Sequence, residues 1–454
     1  MKSIRSTRDR RHAGLALIAV LTALPIGTVA AQQPGSTPGE QDSRAEAAEL
    51  TQAGLDACLS GDVSTSSATA ADIVRFLADD SLEGRFAGSN GERCAGEFIA
   101  RAFEHLGLRP AGEQGFFQDV PLASAANPHA PPAATGRNVI ALLEGTGNEG
   151  EVVVVGAHYD HLGHGGYGSL AEGSGDIHNG ADDNASGVAA MLAAAARLAS
   201  GPAPARSVLF VAFTGEELGL LGSSHYVKNP AVPLDRTIAM INLDMVGRLG
   251  DGELIVYGIG TAEEWDTILR NANEGLGIPL ALQDAGYGPS DHTSFYTADI
   301  PVLHFFTNVH GDYHRPTDDW EKIDVDGLER VSALVAGVAW TLSKSDARLA
   351  LIRGAGAPQQ RASGYGAYLG SIPDFTPVDH GVLLSGVSGG SPAELAGIRK
   401  GDTIVQMGRH EIADLYGLTD ALQLFEPGDR VEVQVLRDGE RVSFEVVLGS
   451  REDR

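Results

Sequence analysis

The sequence predicts an α/β fold, in which a mostly parallel, mixed sheet is covered by helices on both faces and is followed by a small, mainly-β domain. Up to about residue 350, short and wholly apolar runs alternate with segments of helical periodicity, as in a parallel sheet buried on both faces. Beyond about residue 362 the pattern changes to short strands, and apolar and polar residues alternate over 431–435 and 442–446, on either side of a hairpin turn expected at Asp438-Gly439.

Within the first part, residues 70–108 have helical periodicity that is interrupted by a turn at Leu82–Arg85. Buried strands are expected at 152–155, 208–213, 238–243, 254–257 and 302–306. Helices are expected at 186–198, 262–273 and 325–343. Residues 123–135 and 353–363 are rich in Pro, Ala or Gly, which predicts a loop and a domain boundary, respectively.

The first 31 residues have the pattern of a signal peptide, with basic residues, an apolar run and small residues at the end. The alternative is an uncleaved membrane anchor, but Pro25 and Gly27 interrupt the run before it reaches the ~20 apolar residues of a span. We therefore expect an exported protein, periplasmic or secreted, with no membrane span after cleavage. Residues 32–69 are polar and read as a flexible leader.

The charge and the cysteines add two expectations. The formal net charge is −27 at pH 7, which repels nucleic acid and anionic membrane surfaces, so neither is an expected partner. Cys58 and Cys94 both lie in the exported part, and an even count in an oxidising compartment suggests one disulfide. Two free, buried thiols are the alternative.

Histidine and acidic residues cluster in segments that end or follow the predicted strands, and the carboxyl ends of parallel strands are where such sheets bind ligands. His158 follows the valine strand, and Asp160 is placed to accept the second N–H of that imidazole, as carboxylates beside metal sites do. The other segments carry the acidic pairs Asp182-Asp183 and Glu216-Glu217, then Asp244, and finally His314.

Taken singly, each acidic pair is explained as the start of a helix, where negative charge is favoured. Taken together, the imidazoles and carboxylates are ligands that suit zinc. Two Zn²⁺ ions would carry a charge of +4, which Asp183, Glu217 and Asp244 with one hydroxide would neutralise. Glu216 is then left over, as a general base must be.

The whole set, in this order, resembles the two-zinc aminopeptidase family that includes bacterial leucyl aminopeptidases and, more distantly, glutamate carboxypeptidase. The resemblance covers about residues 70–345 and implies a peptidase domain over 70–350. It implies that His158, Asp183 and Asp244 bind one zinc, and that Asp183, Glu217 and His314 bind the other. Asp183, rather than Asp182, aligns with the bridging Asp of the Asp-x-x-Ser-Gly motif.

Two further roles follow from the same resemblance. Glu216 matches the general base of the family. The segment Gly286-Tyr287-Gly288-Pro289-Ser290-Asp291-His292 is similar to a loop whose Tyr donates a hydrogen bond to the oxyanion, which implies that role for Tyr287. An ordinary loop aromatic is the alternative for Tyr287.

Residues 362–450 resemble a bacterial PDZ domain, through Tyr368-Leu369-Gly370-Ser371, Ser391–Ile398 and Gly401-Asp402. PDZ domains bind extended peptides by adding a strand to a sheet edge. The resemblance implies that backbone N–H groups at Tyr368, Leu369 and Gly370 receive the terminal carboxylate of a peptide. A domain that only stabilises or orients its neighbour is the alternative.

The sequence thus predicts a secreted, zinc-dependent exopeptidase with two zinc ions per chain, and it favours an aminopeptidase acting on peptides. A carboxypeptidase on the same site stays open, because Arg248 and Arg315 flank the zinc motifs and offer cations for a terminal carboxylate. A non-catalytic, zinc-bound adaptor acting through the PDZ-like domain is a third alternative, although pure binding does not need the spare base Glu216. A single-zinc glutaminyl cyclase shares the fold, but the full set of ligands favours two metals.

Overall fold

The structure, a computed structural model, describes residues 69–122, 135–147, 150–166, 168–171, 175–353 and 355, and most of 367–449. The predicted signal peptide, almost all of the leader, Cys58, the loop over 123–135 and the domain boundary lie wholly or largely outside these residues. Among the described helices, none combines the length and the apolar character needed to cross a membrane.

The chain begins its described part with two helices joined by a turn. Helix α1 spans Ala70–Leu77 and starts in a capping box between Thr69 and Asp72. A 3₁₀ turn at Asp80–Arg85 follows, and helix α2 spans Asn90–His105. Phe76 of α1 stacks on Phe98 of α2 with the ring centroids 4.2 Å apart, so the apolar faces of both helices meet. The two helices predicted on either side of a turn are therefore confirmed.

A nine-stranded sheet forms the centre of this part, in the order β1-β3-β5-β4-β6-β9-β7-β8, with β2 beside β3. Its strands are β1 Arg109–Pro110, β2 Phe117–Pro121, β3 Thr135–Leu143, β4 Val152–His158, β5 Ser207–Phe213, β6 Thr237–Leu243, β7 Leu254–Tyr257, β8 Leu280–Leu282 and β9 Val302–Phe306. The adjacent strands β5, β4, β6 and β9 are parallel, whereas β3 and β7 are antiparallel to β5 and β9. The sheet is mixed with a parallel centre, as predicted.

Helices cover both faces of the sheet, so every central strand is buried on two sides. Val153 and Val155 face the core that contains α1 and α2, whereas Val152 and Val154 face a second core with Tyr226 and Phe295. The remaining helices are α3 Gly187–Ala199, α4 Leu221–Lys228, α5 Trp265–Asn273, α6 His292–Thr297 and α7 Val325–Lys344. This two-sided burial is why β4, β5 and β6 read as continuous apolar runs in the sequence.

Helix α5 begins later than the sequence predicts. Ala262 has extended backbone angles (φ −154°, ψ 151°) and follows a short 3₁₀ turn at Ile259–Thr261. Trp265 is the first residue of the helix, and it is fully buried. Ile259 and Ala262 pack against the same core as the helix, which is why the apolar pattern extends past its start.

A second sheet forms separately between residues 371 and 447, and all its strand pairs are antiparallel. It contains β10 Ser371–Pro373, β11 Val382–Val387, β12 Thr403–Met407, β13 His410–Glu411, β14 Arg430–Arg437 and β15 Glu440–Val447, with helix α8 at Pro392–Ala396. Strands β14 and β15 pair with Arg437 opposite Glu440, which confirms the predicted hairpin. Its apolar core is its own and includes Leu369, Ile404 and Val433.

One residue of the predicted carboxylate-binding loop has a different role. The Tyr368 N–H donates to the Gly449 carbonyl at 2.8 Å, which ties the loop to the end of the domain. That N–H is therefore not available to a peptide carboxylate, and this part of the prediction was wrong. Leu369 is buried, its carbonyl accepts from Ala393 N at 2.9 Å, and Gly370 has a φ of +82°. The loop thus presents the N–H groups of Leu369 and Gly370 as the remaining candidates.

Candidate metal centre

The parallel centre of the large sheet brings the predicted ligands to one edge. His158 ends β4, Asp244 follows β6, and Glu217 follows β5, while His314 follows β9. Because these four strands run in the same direction, their carboxyl ends meet at the same edge of the sheet. Asp183 reaches the same place from the irregular turn at Ala181–Ser186 that precedes α3.

The carboxylate of Asp183 lies between two imidazoles. Its Oδ1 is 3.4 Å from His158 Nε2, and its Oδ2 is 3.2 Å from His314 Nε2. Each imidazole has a second carboxylate neighbour: Asp244 Oδ1 lies 3.3 Å from His158 Nε2, and Glu217 Oε2 lies 3.3 Å from His314 Nε2. The structure therefore contains two groups of one imidazole and two carboxylates, and Asp183 belongs to both.

These spacings fit zinc. Two ligand atoms that each lie about 2.0–2.2 Å from one tetrahedral zinc ion are roughly 3.3–3.6 Å apart. The four contacts around Asp183 are 3.2–3.4 Å long, which is longer than a strong charge-assisted hydrogen bond. His158 and Asp183 are also almost fully buried, so their charges need a partner inside the protein. The donor atoms, their spacing and their burial all suit a pair of zinc ions.

His161 is a member of the cluster that the sequence reasoning missed. Its ring is fully buried, and it groups with Asp183 and Glu217 as a potential ligand. However, its Nδ1 lies only 2.7 Å from Glu217 Oε1, which is a hydrogen-bond distance and too short for two ligands of one zinc ion. His161 thus orients Glu217 by holding one oxygen, while the other oxygen faces His314. Its place at the end of the Gly156–His161 segment was the signal in the sequence.

Asp160 contacts His158 differently from the prediction. The nearest atom to His158 Nδ1 is the main-chain oxygen of Asp160, at 3.2 Å, whereas the carboxylate oxygen is 3.9 Å away. The carboxylate instead accepts the N–H of Glu216 at 3.1 Å. The prediction that the Asp160 carboxylate accepts from His158 was therefore wrong. The chain turns directly after β4. The Asp160 carbonyl therefore faces the His158 imidazole, while the Asp160 side chain binds the loop after β5.

Asp182 has no part in the two groups. Its Oδ1 accepts the Gly247 N–H at 2.7 Å, and its Oδ2 lies 3.1 Å from His310 Nε2. The backbone N–H groups of both Asp182 and Asp183 donate to Asp318 Oδ2, at 2.9 and 3.1 Å. Asp182 and Asp318 thus fix the turn that presents Asp183, which favours Asp183 as the shared ligand.

Glu216 and Glu217 lie in a tight turn and not in the first turn of a helix. The Glu216 carbonyl accepts the N–H groups of Gly219 and Leu220 at 2.8 and 2.9 Å, and α4 begins only at Leu221. Burial raises the pKa of Glu216 well above its ordinary value; nearby His158 lowers it, but the charges of Glu217 and Asp244 raise it further. A raised pKa favours uptake of a proton by this carboxyl group.

Tyr287 packs against another tyrosine, and its role at the oxyanion stays a prediction. Its ring packs edge-on against Tyr296, with the centroids 4.7 Å apart. Within the described residues, no hydrogen bond or ion pair joins Tyr287 to the cluster.

Another tyrosine, Tyr313, stacks on the His314 ring with the centroids 3.8 Å apart, and it was not singled out from the sequence. Burial raises the pKa of Tyr313 well above its ordinary value, and the charges of Asp183 and Glu217 add to this.

The two arginines that flank the motifs both have partners in the protein. Arg248 Nη2 lies 3.1 Å from Asp318 Oδ1 and 3.4 Å from Asp312 Oδ2. Arg315 Nη1 donates to the Leu170 carbonyl at 2.5 Å. Arg248 therefore helps to hold Asp318, and through it the turn that carries Asp183. Arg248 is thus paired with carboxylates, whereas the partner of Arg315 is a main-chain carbonyl.

Two family models match the chain. Residues 138–339 match the model described as Peptidase family M28, and residues 369–448 match the PDZ domain model. The first match contains all the residues of the cluster. The second contains the separate antiparallel sheet.

Two curated relatives and one solved structure are also similar to this chain. The chain is 30% identical over 285 residues to "Leupeptin-inactivating enzyme 1" of Streptomyces exfoliatus, covering 57% of this chain and 59% of the relative. It is 33% identical over 207 residues to "Aminopeptidase YwaD" of Bacillus subtilis, covering 43% and 42%. The chain therefore spans about half the length of these relatives. A solved structure of a Zn-dependent exopeptidase from Parabacteroides distasonis is 19% identical with a TM-score of 0.50, covering 60% of this chain and 97% of that one. That likeness shows the fold.

Proposed function

We propose that the protein is an exported, two-zinc aminopeptidase that removes N-terminal residues from peptides, because residues 138–339 match the model of Peptidase family M28. One observation carries the proposal: the two oxygens of Asp183 face different imidazoles, each with a carboxylate of its own. A shared carboxylate between two such groups is what a pair of adjacent metal ions requires. The predicted signal peptide supports the exported location.

We assign the ligands by these contacts. His158, Asp183 and Asp244 would hold one zinc ion, and Asp183, Glu217 and His314 would hold the other. When bound, the two ions would polarise the scissile carbonyl and lower the pKa of water. The imidazole of His158 is kept in one orientation by the main-chain oxygen of Asp160, and Glu217 is kept in one orientation by His161.

Glu216 acts as the general base in this proposal. It accepts a proton from the attacking water and delivers that proton to the leaving amine. Burial and the charges of Glu217 and Asp244 raise its pKa, which favours uptake of a proton. Asp160 positions it, because its carboxylate holds the Glu216 N–H at 3.1 Å.

The charge around the site supports an aminopeptidase over a carboxypeptidase. A carboxypeptidase needs a cation for the terminal carboxylate of its substrate, but Arg248 and Arg315 are engaged by Asp318 and the Leu170 carbonyl. Some of the curated relatives are named aminopeptidases, which supports cleavage from the N-terminus of the substrate.

A panel of peptides tests the proposal. Peptides with a free N-terminus, with a blocked N-terminus and with an amidated C-terminus are incubated with the full-length protein, with and without a chelator. We expect cleavage of the free and the C-amidated peptides, no cleavage of the N-blocked peptide, and no activity with chelator. Cleavage that requires a free C-terminus would show a carboxypeptidase instead. One zinc ion per chain at full activity, measured by elemental analysis, would rule out the two-metal site.

The PDZ domain offers a second, separate proposal. We propose that it binds the C-terminus of a peptide. The N–H groups of Leu369 and Gly370 would face the carboxylate, and the peptide would add a strand to the sheet edge formed by β10. Fluorescence titration with a library of short peptides, free and amidated at the C-terminus, tests it. Equal affinity for both forms would contradict recognition of a carboxylate.

A further inference from the structure

Arg85 is a fully buried cation in the turn between α1 and α2. Its guanidinium donates to main-chain carbonyls in several directions. Nε donates to the Tyr159 oxygen at 2.9 Å, Nη1 to the Asn179 oxygen at 2.7 Å, and Nη2 to the Gly180 oxygen at 3.0 Å. Nη1 also donates to the Leu77 oxygen at the end of α1.

These carbonyls belong to the two loops that carry the shared ligand and its imidazole. Tyr159 follows His158 directly, and Asn179 and Gly180 lead into the turn that presents Asp183. One side chain therefore joins the loop after β4 to the turn before α3. The chain positions involved are far apart, with separations of 74 residues to Tyr159 and 94 to Asn179.

The backbone of the same turn packs against these loops as well. The Arg85 carbonyl accepts the His161 N–H at 3.2 Å, and the Gly84 carbonyl accepts the Gly163 N–H at 3.0 Å. A Cβ on Gly84 would lie 2.5 Å from the carbonyl oxygens of Gly163 and His178, so only glycine permits this close approach. The turn is thus built to bring the guanidinium to the loops.

The charge of Arg85 suits this place. Burial lowers the pKa of Arg85 to about 10, while the carboxylates of Asp160 and Asp183 raise it, so the group is a cation at neutral pH. Guanidinium can donate in several fixed directions at once, which a lysine ammonium on a flexible stem cannot reproduce.

We propose that Arg85 is a positioning residue for the metal centre: by joining the Tyr159, Asn179 and Gly180 carbonyls, it holds His158 and Asp183 at zinc-binding distance before the metal arrives. It touches neither substrate nor the reacting atoms, and the inference rests on the proposed function. Without this bridge the two loops would be less well ordered before the metal binds, and ordering them on binding reduces affinity. Loss of Arg85 therefore weakens zinc binding and lowers kcat more than it changes KM.

Arg206 provides a matched control. It is also fully buried and donates to main-chain carbonyls, to Leu342 O at 2.9 Å and to Ala347 O at 3.0 Å, with Glu151 as its ion-pair partner at 2.7 Å. It directly precedes β5, at the opposite end of the strand from Glu216 and Glu217. Removing Arg206 costs a similar set of hydrogen bonds but leaves the metal loops untouched.

The test compares Arg85→Met, Arg85→Lys and Arg206→Met in the full-length protein. Zinc affinity is measured by competition with a chromogenic chelator, and unfolding of the metal-free proteins by denaturant. We expect Arg85→Met to weaken zinc binding roughly 10–100-fold, in the range seen for groups that orient ligands. Arg206→Met should destabilise the metal-free protein yet leave zinc affinity unchanged, because Arg206 contacts neither of the loops that carry His158 and Asp183.

Arg85→Lys keeps the charge and much of the volume, so it serves if Arg85→Met does not fold, and it should still weaken zinc binding. Zinc affinity equal to that of the unchanged protein in a folded Arg85 variant would overturn the proposal. Equal loss of affinity in the Arg85 and Arg206 variants would also overturn it, because the effect would then be general destabilisation. The comparison needs no turnover, so it decides the role of Arg85 even if the protein cleaves no peptide, which would contradict the proposed function alone.

Discussion

Asp182 and Asp183 are neighbours in the chain, yet their carboxylates have separate partners. Both oxygens of Asp182 are engaged within the protein, by the Gly247 N–H at 2.7 Å and by His310 Nε2 at 3.1 Å. Both oxygens of Asp183 face imidazoles of the candidate metal centre. The irregular turn at Ala181–Ser186 separates the two side chains in this way, because Asp183 and Asn184 lack helical backbone angles.

This division predicts different results for matched alanine variants. Asp183→Ala should remove both zinc ions and abolish activity, because one side chain serves both groups. Asp182→Ala should keep both ions and lower the free energy of unfolding by about 1–3 kcal/mol, the cost of leaving a buried N–H unpaired. Elemental analysis and denaturant unfolding measure the two effects. Loss of metal from Asp182→Ala with retention in Asp183→Ala would reverse the assignment.

Adjacent Glu216 and Glu217 should also separate on substitution. Glu216→Gln should keep both zinc ions and bind substrate. Its kcat should fall by roughly 10²–10⁴-fold or more, since this range is the usual contribution of general base catalysis. The amide is nearly isosteric and cannot accept the proton. Glu217→Gln should weaken metal binding instead, because it removes a charged ligand beside His314.

Zinc titration of turnover tells these two variants apart. Excess zinc should partly restore Glu217→Gln and should do nothing for Glu216→Gln. If Glu216→Gln loses metal while Glu217→Gln keeps it, the roles are exchanged. If neither change affects turnover, the pair serves only the turn before α4 and the peptidase mechanism fails.

His161 should behave as a support for Glu217 and not as a ligand. His161→Phe keeps an aromatic ring in the buried position but removes the 2.7 Å hydrogen bond to Glu217. We expect zinc affinity to fall roughly 10–100-fold, with two ions still bound at saturation. His314→Phe, the control, should leave only one ion at any accessible zinc concentration. Identical stoichiometry of one ion in both variants would make His161 a ligand.

Removal of the PDZ domain should leave hydrolysis of small substrates largely intact, but the position of the cut matters. The Ala355 carbonyl accepts the Gly286 N–H at 3.0 Å, and the Ala355 N–H donates to the Tyr296 hydroxyl at 2.9 Å. A chain that ends after residue 360 keeps both contacts, whereas one that ends after Arg353 loses them. Comparison of kcat for the two truncated proteins then tests the loop that carries Tyr287.

Equal and full activity of both truncated proteins would argue against a role for that loop. A protein cut after residue 360 that binds both zinc ions but has lost activity on small substrates would make the PDZ domain part of the active site.

Cys58 and Cys94 should form one disulfide in the exported protein. Cys94 is buried in α2, and Cys58 lies outside the described residues, so the pairing stays a prediction. Closing a loop of this length contributes roughly 3–4 kcal/mol to the free energy of unfolding. Thiol titration of the unfolded, non-reduced protein should find no free thiol, with Cys58→Ser as the control that exposes one. Two titrating thiols in the unsubstituted protein would refute the disulfide.

Much of the candidate site could be identified from the sequence because its residues follow strands that are easy to recognise. Strands β4, β5 and β6 are buried on both faces, so their apolar runs stand out, and His158, Glu217 and Asp244 lie at or shortly after the ends of these strands. Parallel strands bring these positions to one edge without further information. The resemblance to the two-zinc aminopeptidase family then placed Asp183 and His314 with them.

Contacts between distant segments were decided only by the tertiary structure. No local pattern shows that Arg85 reaches carbonyls 74 and 94 residues away, that His161 holds Glu217, or that the Tyr368 N–H is already engaged by Gly449. The same holds for Asp160, whose carbonyl faces His158 while its carboxylate faces Glu216. Sequence periodicity reports which side of an element is buried, whereas a hydrogen bond depends on distances and angles that exist only once separate loops are packed together.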